Sequence, residues 1–434
     1  MSASSIEHGG PTPVRLLVLS APAALVGLLS GLVLWALDTV AHGVQDTLWT
    51  TLPNAWGIDP SSPWWIIGML TVIGVLVGLV LQFVPGRGGR DSATVELIAP
   101  PQPIAAVPSI LLAVVLTLVG GVSLGPESPI IAINTALAVW GLTRLWKGFP
   151  TELALILTAA GTIGALFGTP VAAALVFTGT VAARPGGGSL WDKLFLPLVS
   201  ASTGSIVTYL LGGGMGAMTG ITPYPGVEAW DLLWGMLVAA GAALLGLVAV
   251  FLLPPVHRLM HGLRWPILAT TIGGLVLGIL GAIGGPVTLF KGLEQGEQLV
   301  QAAPGMTLGA LVIVLVVKLA ALVVSAGSGF RGGRVFPSVF LGIAAGLVAH
   351  ALFPGIPEAL ALAAGVLGFT LAVARDGWIA LFVAVAITGD IHLLPILCVA
   401  LLPAWLLVAR APEMLAPETE AIGGPRLAEV PASR

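Results

Sequence analysis

The sequence predicts an all-α integral membrane protein whose helices are interrupted and arranged in two repeats. Three observations lead there: a very apolar composition, an excess of glycine and proline, and two short patterns that recur in order in each half. Of the 434 residues, 57% are hydrophobic and 9% charged, with a mean hydropathy of +1.03. A soluble chain carries about 25% charged residues, so this one has too little polar surface to cover a globule in water. The 58 Gly and 33 Pro make up about a fifth of the chain, against roughly 12% on average, so simple rod-like spans are not expected. A net charge of −3 excludes a basic nucleic-acid surface, and Cys398, the single cysteine, excludes a disulfide framework or cysteine metal cluster.

Residues 1–13 form a polar tail, and Arg15 introduces an apolar run from Leu16 to about Leu37. Ser20 to Ala24 resembles a signal-peptide cleavage site, but the run continues far enough to span a bilayer, which predicts an uncleaved first helix. Further apolar runs fall at about 64–84, 105–146, 153–182, 194–213, 229–254, 266–290, 306–326, 335–353 and 358–409. Several are too long for one crossing and contain Gly or Pro, so paired or re-entrant segments are expected, about ten to eighteen helical pieces in all. Residues 14–409 read as a single transmembrane domain, with repeats at about 14–215 and 225–409. The polar stretch Ala183 to Lys193 is linker-sized, and the tail 410–434 is short, charged and expected to be mostly disordered.

Cations set the orientation. The connection His42 to Pro63 has Asp46 and Asp59 but no Lys or Arg, whereas later turns hold Arg87 with Arg90, and Arg144 with Lys147. Those two turns are expected on the cytoplasmic side, as are both termini, in a multi-pass plasma-membrane protein. The break Gly125-Pro126-Glu127-Ser128-Pro129 falls near the middle of the intervening stretch, which puts a carboxylate deep in the apolar region.

Gly125-x-x-x-Pro129 is followed about 34 residues later by Ala159-Ala160-Gly161-x-x-Gly164, and Gly333-x-x-x-Pro337 about 30 residues later by Ala363-Ala364-Gly365-x-x-Gly368. Either pattern alone has about even odds of chance origin in so Gly- and Ala-rich a chain, but their joint order favours duplication. Two such repeats with broken helices meeting near the midplane are a common way to build an ion site.

Proline suits the first turn of a helix, so Pro129 and Pro337 read as helix starts. A helix entrance leaves N–H groups unpaired and carries about half a positive charge, which stabilises an anion without a tightly holding Lys or Arg. Glu127 lies in that field as a built-in anion, able to swing away when a permeant ion arrives or when it is protonated. In a soluble helix a carboxylate merely complementing the dipole would be the preferred reading. Within an apolar stretch an ionised group is costly and as a rule functional.

Other features carry less. Gly327-x-Gly329-x-x-Gly332 matches a dinucleotide-binding pattern by letter, but no strand precedes it. Arg331 and Arg334 either line a vestibule or anchor a helix end at the headgroups. His257 and His261 have metal-site spacing, but with Arg258 and Arg264 beside them and no nearby carboxylate they read as a solvated loop. His350 and His392 read as packed helix residues, and Asp376 and Asp390 as locally paired with Arg375 and His392. No Ser-His-Asp set, Walker loop or paired-carboxylate site occurs in the sequence, so nothing argues for an enzyme.

These residues resemble the CLC family of chloride channels and proton-coupled chloride antiporters. Val122-Ser123-Leu124-Gly125-Pro126-Glu127-Ser128-Pro129 is similar to the family's G-[KR]-E-G-P motif, and Gly332-Gly333-Arg334-Val335-Phe336-Pro337 to its G-x-F-x-P. Phe167-Gly168-Thr169-Pro170-Val171-Ala172 resembles F-N-A-P-L-A. The likeness runs from about 14 to 415 and is nearest to a bacterial branch described only as ion-transport or ion channel proteins. It implies a CLC-like inverted repeat of tilted and re-entrant helices, a homodimer in the lipid bilayer with one pore per subunit, and small anions, chloride by default, as partners, with no cofactor. It further implies Glu127 as gate and an anion site formed by Gly125, Pro126, Ser128, Gly333, Arg334, Val335 and Phe336. Cytoplasmic nucleotide-binding modules of the kind some members carry are not expected, because the chain ends early.

There are departures from the motifs. Pro126 replaces the basic residue before the gating glutamate, Ser128 replaces the following glycine, and the aromatic of G-x-F-x-P is displaced to Phe336, with Val335 in its usual place. The filter serine of G-S-G-I-P has its candidate in Ser92, within Gly89-Arg90-Asp91-Ser92-Ala93, where Asp91 would repel anions unless paired, Arg90 being the nearest partner. Met414 stands near the place of the pore tyrosine. Aligning on Pro170 puts Thr180 where proton-coupled members carry an inner glutamate, which implies passive anion conduction. A proton-coupled chloride or fluoride antiporter, and a carrier of another solute or a non-conducting scaffold, are the alternatives.

Overall fold

The computed structural model describes residues 12–182 and 189–417. The expected N-terminal tail up to residue 11, residues 183–188 of the expected linker and the tail from residue 418 lie outside the described residues. In the first half α1 is Pro13–Asp46, prolonged by a π turn at Thr47–Thr51, followed by α2 Leu52–Ala55, α3 Pro63–Phe83, α4 Val107–Val119, α5 Glu127–Leu145, α6 Thr151–Phe167, α7 Pro170–Ala182 and α8 Leu190–Leu210. The second half holds α9 Ala229–His261, α10 Pro266–Gly284, α11 Leu293–Ala302, α12 Leu308–Gly327, α13 Val335–Leu352, α14 Glu358–Ala374, α15 Gly377–Thr388 and α16 Leu394–Val408. There is no strand among the described residues, and eight helical segments are long and apolar enough to cross a membrane. Helices such as α4, α6, α14 and α15 are apolar but shorter than the roughly 20 residues a crossing needs. The result is a multi-pass membrane protein of full and partial spans, as the composition predicts.

Local sequence sets the helix ends. Thr12 Oγ1 accepts the Arg15 N–H at 3.4 Å, Thr307 Oγ1 accepts the Ala310 N–H at 3.3 Å, and Ser189 with Asp192 forms a reciprocal capping box. Gly168 and Gly389 end α6 and α15 in the left-handed conformation, where a side chain is disfavoured. Three expectations fail at helix ends. α9 runs through His257 to His261 instead of giving way to a solvated loop, so His257 is buried. Asp376 and Asp390 cap backbone N–H groups of Trp378, Ile379 and His392 rather than pairing with neighbouring side chains, because exposed helix-end donors lie nearer. His392 sits exposed in a short 3-10 turn and is not packed, whereas His350 is a half-buried helix residue bonded to the Ile356 carbonyl at 2.8 Å.

The two halves pack alike. α1 lies against α6 and α8 as α9 lies against α14 and α16, and α5 meets α6 as α13 meets α14. They join along α3 and α10, where small residues face each other reciprocally. A Cβ at Gly74 would strike the Thr270 carbonyl and one at Gly274 the Leu70 carbonyl, while Gly78 abuts Ile267 and Gly278 abuts Ile67. Without such small residues the two backbones could not approach this closely. The arrangement is an inverted repeat of tilted and re-entrant helices.

Gly274→Leu is expected to destabilise the protein by about 1–3 kcal/mol through overpacking, lowering its melting temperature in detergent. Gly241→Leu, at a helical glycine with open space around it, should leave the melting temperature nearly unchanged. Equal effects of the two substitutions would show that close packing of α3 on α10 is not what holds the halves together.

Candidate functional site

Both predicted breaks reach the centre of the molecule and meet there. Gly125 and Gly333 form a two-residue antiparallel bridge, with N–H to carbonyl distances of 2.9 and 2.6 Å. α5 and α13 start immediately beyond it. Each helix begins two residues before its proline, so Pro129 and Pro337 occupy the third position of the first turn, where a missing N–H costs nothing.

Glu127 is the first residue of α5 and is 1% exposed. Its carboxylate reaches across the bridge to the start of the other helix. Oε1 accepts the Phe336 N–H, at the second position of α13, at 2.6 Å, while Oε2 has no hydrogen-bond partner among the described residues. The glutamate of one repeat thus occupies the helix entrance of the other. A Cβ at Gly125 or at Gly333 would collide with this carboxylate, which explains glycine at both positions of the bridge. Pro126 precedes the helix as its cap residue, and Ser128 follows Glu127, half-buried. Phe336 packs edge-on against Phe167 at a centroid distance of 6.2 Å, and Phe167 against Phe382 at 5.9 Å. Val335, at the usual aromatic position, is buried.

The loop 84–95 closes the site from one side. Ser92 Oγ accepts the Gly332 N–H at 2.9 Å, so the candidate filter serine does reach the second break. Asp91 is paired, but not with Arg90. Arg331 Nη1 lies 3.2 Å from its Oδ1, and His257 and His261 lie 3.0 and 3.1 Å from its Oδ2. Burial raises the Asp91 carboxyl, yet the bonds to His257 and His261 and the charge of Arg331 outweigh it and hold the group well below the usual carboxylate range.

Arg331 and Arg334 both reach into the loops around the second break. Arg331 is buried and also bonds the Gly88, Gly89 and Gly329 carbonyls, while Arg334 bonds the carbonyls of Val95 and Met414. They pin loop backbone, because carbonyls without a helix or sheet partner need donors inside an apolar interior. Met414 is buried, and Ala416 donates its N–H to the Ala93 carbonyl at 2.7 Å. The first residues of the expected disordered tail therefore dock under the site. Thr180 lies on α7, and its side chain lies outside the described residues.

The profile described as voltage gated chloride channel matches residues 69–409. The protein named "Putative ion-transport protein YfeO" of Escherichia coli (strain 55989 / EAEC) is 47% identical over 408 residues, covering 93% of this chain and 96% of its own. Its namesake in Salmonella newport (strain SL254) is 48% identical over 415 residues, covering 94% and 98%. The chain belongs to the CLC family. This CLC fold is shared with a slow cyanobacterial Cl−/H+ antiporter, with a TM-score of 0.75, 18% identity and 91% and 96% of the two chains covered. A CLC-type fluoride/proton antiporter aligns with a TM-score of 0.67 and 20% identity over 92% and 98%.

Two features of this CLC chain escape reading by sequence. Lys318, fully buried in α12, donates to the carbonyls of Thr288, Leu289 and Phe290 at 3.0, 3.0 and 2.8 Å and lies 5.0 Å from the Phe340 ring centroid. A lone cation within an apolar 20-residue helix is the signal that could have found it. A second polar cluster joins Asp38 and His42 of α1 to Lys291 and Glu294, with Lys291–Asp38 at 3.1 Å and His42–Glu294 at 3.0 Å. These pairs are more than 250 residues apart in sequence, so no local spacing reveals them. The His42 hydrogen bond holds the Glu294 carboxyl below its usual range, against desolvation and with help from Lys291.

Lys318→Met strips three carbonyls of their donor and is expected to cost at least about 3 kcal/mol, read as a lower melting temperature; an unchanged value would mean those carbonyls find other partners. Glu294 is lowered on folding, so its contribution is complete above the unfolded carboxylate value of about 4 and is lost as pH falls through the lower folded value. The melting temperature should therefore decline from about pH 5 toward pH 3 less steeply in Glu294→Gln than in wild type. Parallel declines would remove Glu294 from the account.

Proposed function

We propose that this CLC protein conducts small anions, chloride by default, through the junction of α5 and α13, with Glu127 as its gate. The observation that carries this reading is the Glu127 carboxylate on the Phe336 N–H. A protein anion fills the helix entrance where a permeant anion would bind, and removing it exposes that entrance. Gly125, Pro126, Ser128, Gly333, Arg334, Val335 and Phe336 form the anion site around it, together with Ser92, whose hydroxyl bonds Gly332. Thr180, at the inner glutamate position, favours passive conduction over proton coupling because a hydroxyl does not relay protons by titrating. The antiporters that share the fold keep proton-coupled chloride or fluoride exchange as the second reading. A homodimer in the plasma membrane, with both termini cytoplasmic, completes the proposal.

Purified protein in liposomes should pass chloride at a rate indifferent to an imposed pH gradient. Glu127→Ala should raise that rate several-fold. Uphill proton movement driven by a chloride gradient would replace the channel reading with antiport. No flux of any anion in a panel including fluoride, for wild type and variant alike, would eliminate both readings and leave a solute carrier or scaffold.

A further inference from the structure

The last turn of α9 holds an arrangement that neither anion conduction nor gating uses. His257 and His261, one turn apart, aim both Nε2 atoms at the same oxygen, Oδ2 of Asp91, at 3.0 and 3.1 Å. Their rings stack with centroids 3.8 Å apart, and the three donor atoms lie within 4.8 Å of one another. The other carboxylate oxygen, Oδ1, is already bound by Arg331 and by the Ala93 N–H at 3.1 Å, which fixes how the carboxylate is turned.

The tautomer of His261 follows from its second nitrogen. Nδ1 lies 3.0 Å from the His257 carbonyl, which only accepts, so Nδ1 carries the proton. With Nδ1 protonated, His261 Nε2 faces the carboxylate as an N–H donor in the imidazolium form and as a lone pair, free to ligate a metal, in the neutral form. His257 Nδ1 is buried with no partner among the described residues, so no hydrogen bond there dictates which nitrogen of that ring is protonated, and its Nε2 is able to act as a donor ligand. Atoms converging at this distance are held together either by a proton on a ring nitrogen or by a metal cation that takes its place. Two imidazole nitrogens at i, i+4 with one carboxylate oxygen form the donor set of borderline first-row ions, and a ring Nδ1–H donated to a backbone carbonyl is how metal-binding histidines are held.

We propose that Asp91, His257 and His261 bind a divalent transition-metal cation, with zinc the best match to two nitrogens, one oxygen and a water. Access is from the side of His261, whose side chain is 34% exposed while that of His257 is 1% exposed. A bound ion ties the end of α9 to the loop whose next residue, Ser92, bonds Gly332 at the second break. The metal thus clamps the filter loop to the scaffold, at the molecular face that carries Arg258 and Arg264.

The test uses tag-free, chelator-stripped full-length protein, titrated with Zn2+ by calorimetry and with Co2+ by visible absorption. The expected result is one saturable Zn2+ site per chain and a Co2+ spectrum of a low-coordinate nitrogen and oxygen site. His261→Gln, at the partly exposed ligand, and His257→Gln are each expected to weaken Zn2+ binding at least about tenfold. His42→Gln, in the other polar cluster, should leave binding unchanged. No saturable Zn2+ binding by wild type, or affinity unaltered in His261→Gln, overturns the proposal. A flux arm, in which Zn2+ alters chloride movement in wild type and not in His261→Gln, rests on the proposed function; the binding arm does not. Zinc binding without anion flux would defeat the function alone, and flux without zinc binding the metal site alone.

Discussion

The backbone pairing of Gly125 with Gly333 is the constraint on which the centre of the molecule depends. Two helical segments that break in an apolar interior expose N–H and carbonyl groups that lipid cannot satisfy. Pairing the breaks with each other satisfies two donors and two acceptors at once and fixes the two helix entrances against one another. Once they are so close, a glutamate at the start of one helix reaches the first turn of the other, and only glycine at both bridge positions leaves room for its carboxylate.

Around that junction, scarce charges do structural work that they rarely do in soluble proteins. Arg331, Arg334 and Lys318 donate mainly to backbone carbonyls of non-helical segments, at Gly88, Val95, Met414 and the 288–290 turn. The polar loops are thereby made compatible with burial. At the junction itself the first-turn N–H groups of α5 and α13 supply the local positive field.

Much of the architecture was legible because its causes are local. Apolar runs, caps such as Thr12 and Thr307, and prolines in first turns mark where helices begin, and the recurring glycine patterns mark the two breaks. Glu127 stood out because an isolated carboxylate in an apolar stretch has few structural explanations. Readings failed where the deciding neighbour was distant in sequence. A solvated loop at His257 and His261 fails because Asp91, their partner, lies 166 residues away from His257, and nothing local shows which loops Arg331 and Arg334 pin.

The sequence by itself determined that this chain belongs in a bilayer, that its helices are broken at Gly125–Pro129 and Gly333–Pro337, and that Glu127 sits at one of the breaks. Those features follow from composition and from backbone chemistry within a few residues. Only the tertiary structure decided that Glu127 takes the N–H of the opposite repeat, that Ser92 and Asp91 close on the same junction, and that the residues around Met414 fold back beneath it. Each of those is a contact between segments brought together by the crossing of the two repeats, and a linear pattern carries no record of which distant donor meets which acceptor.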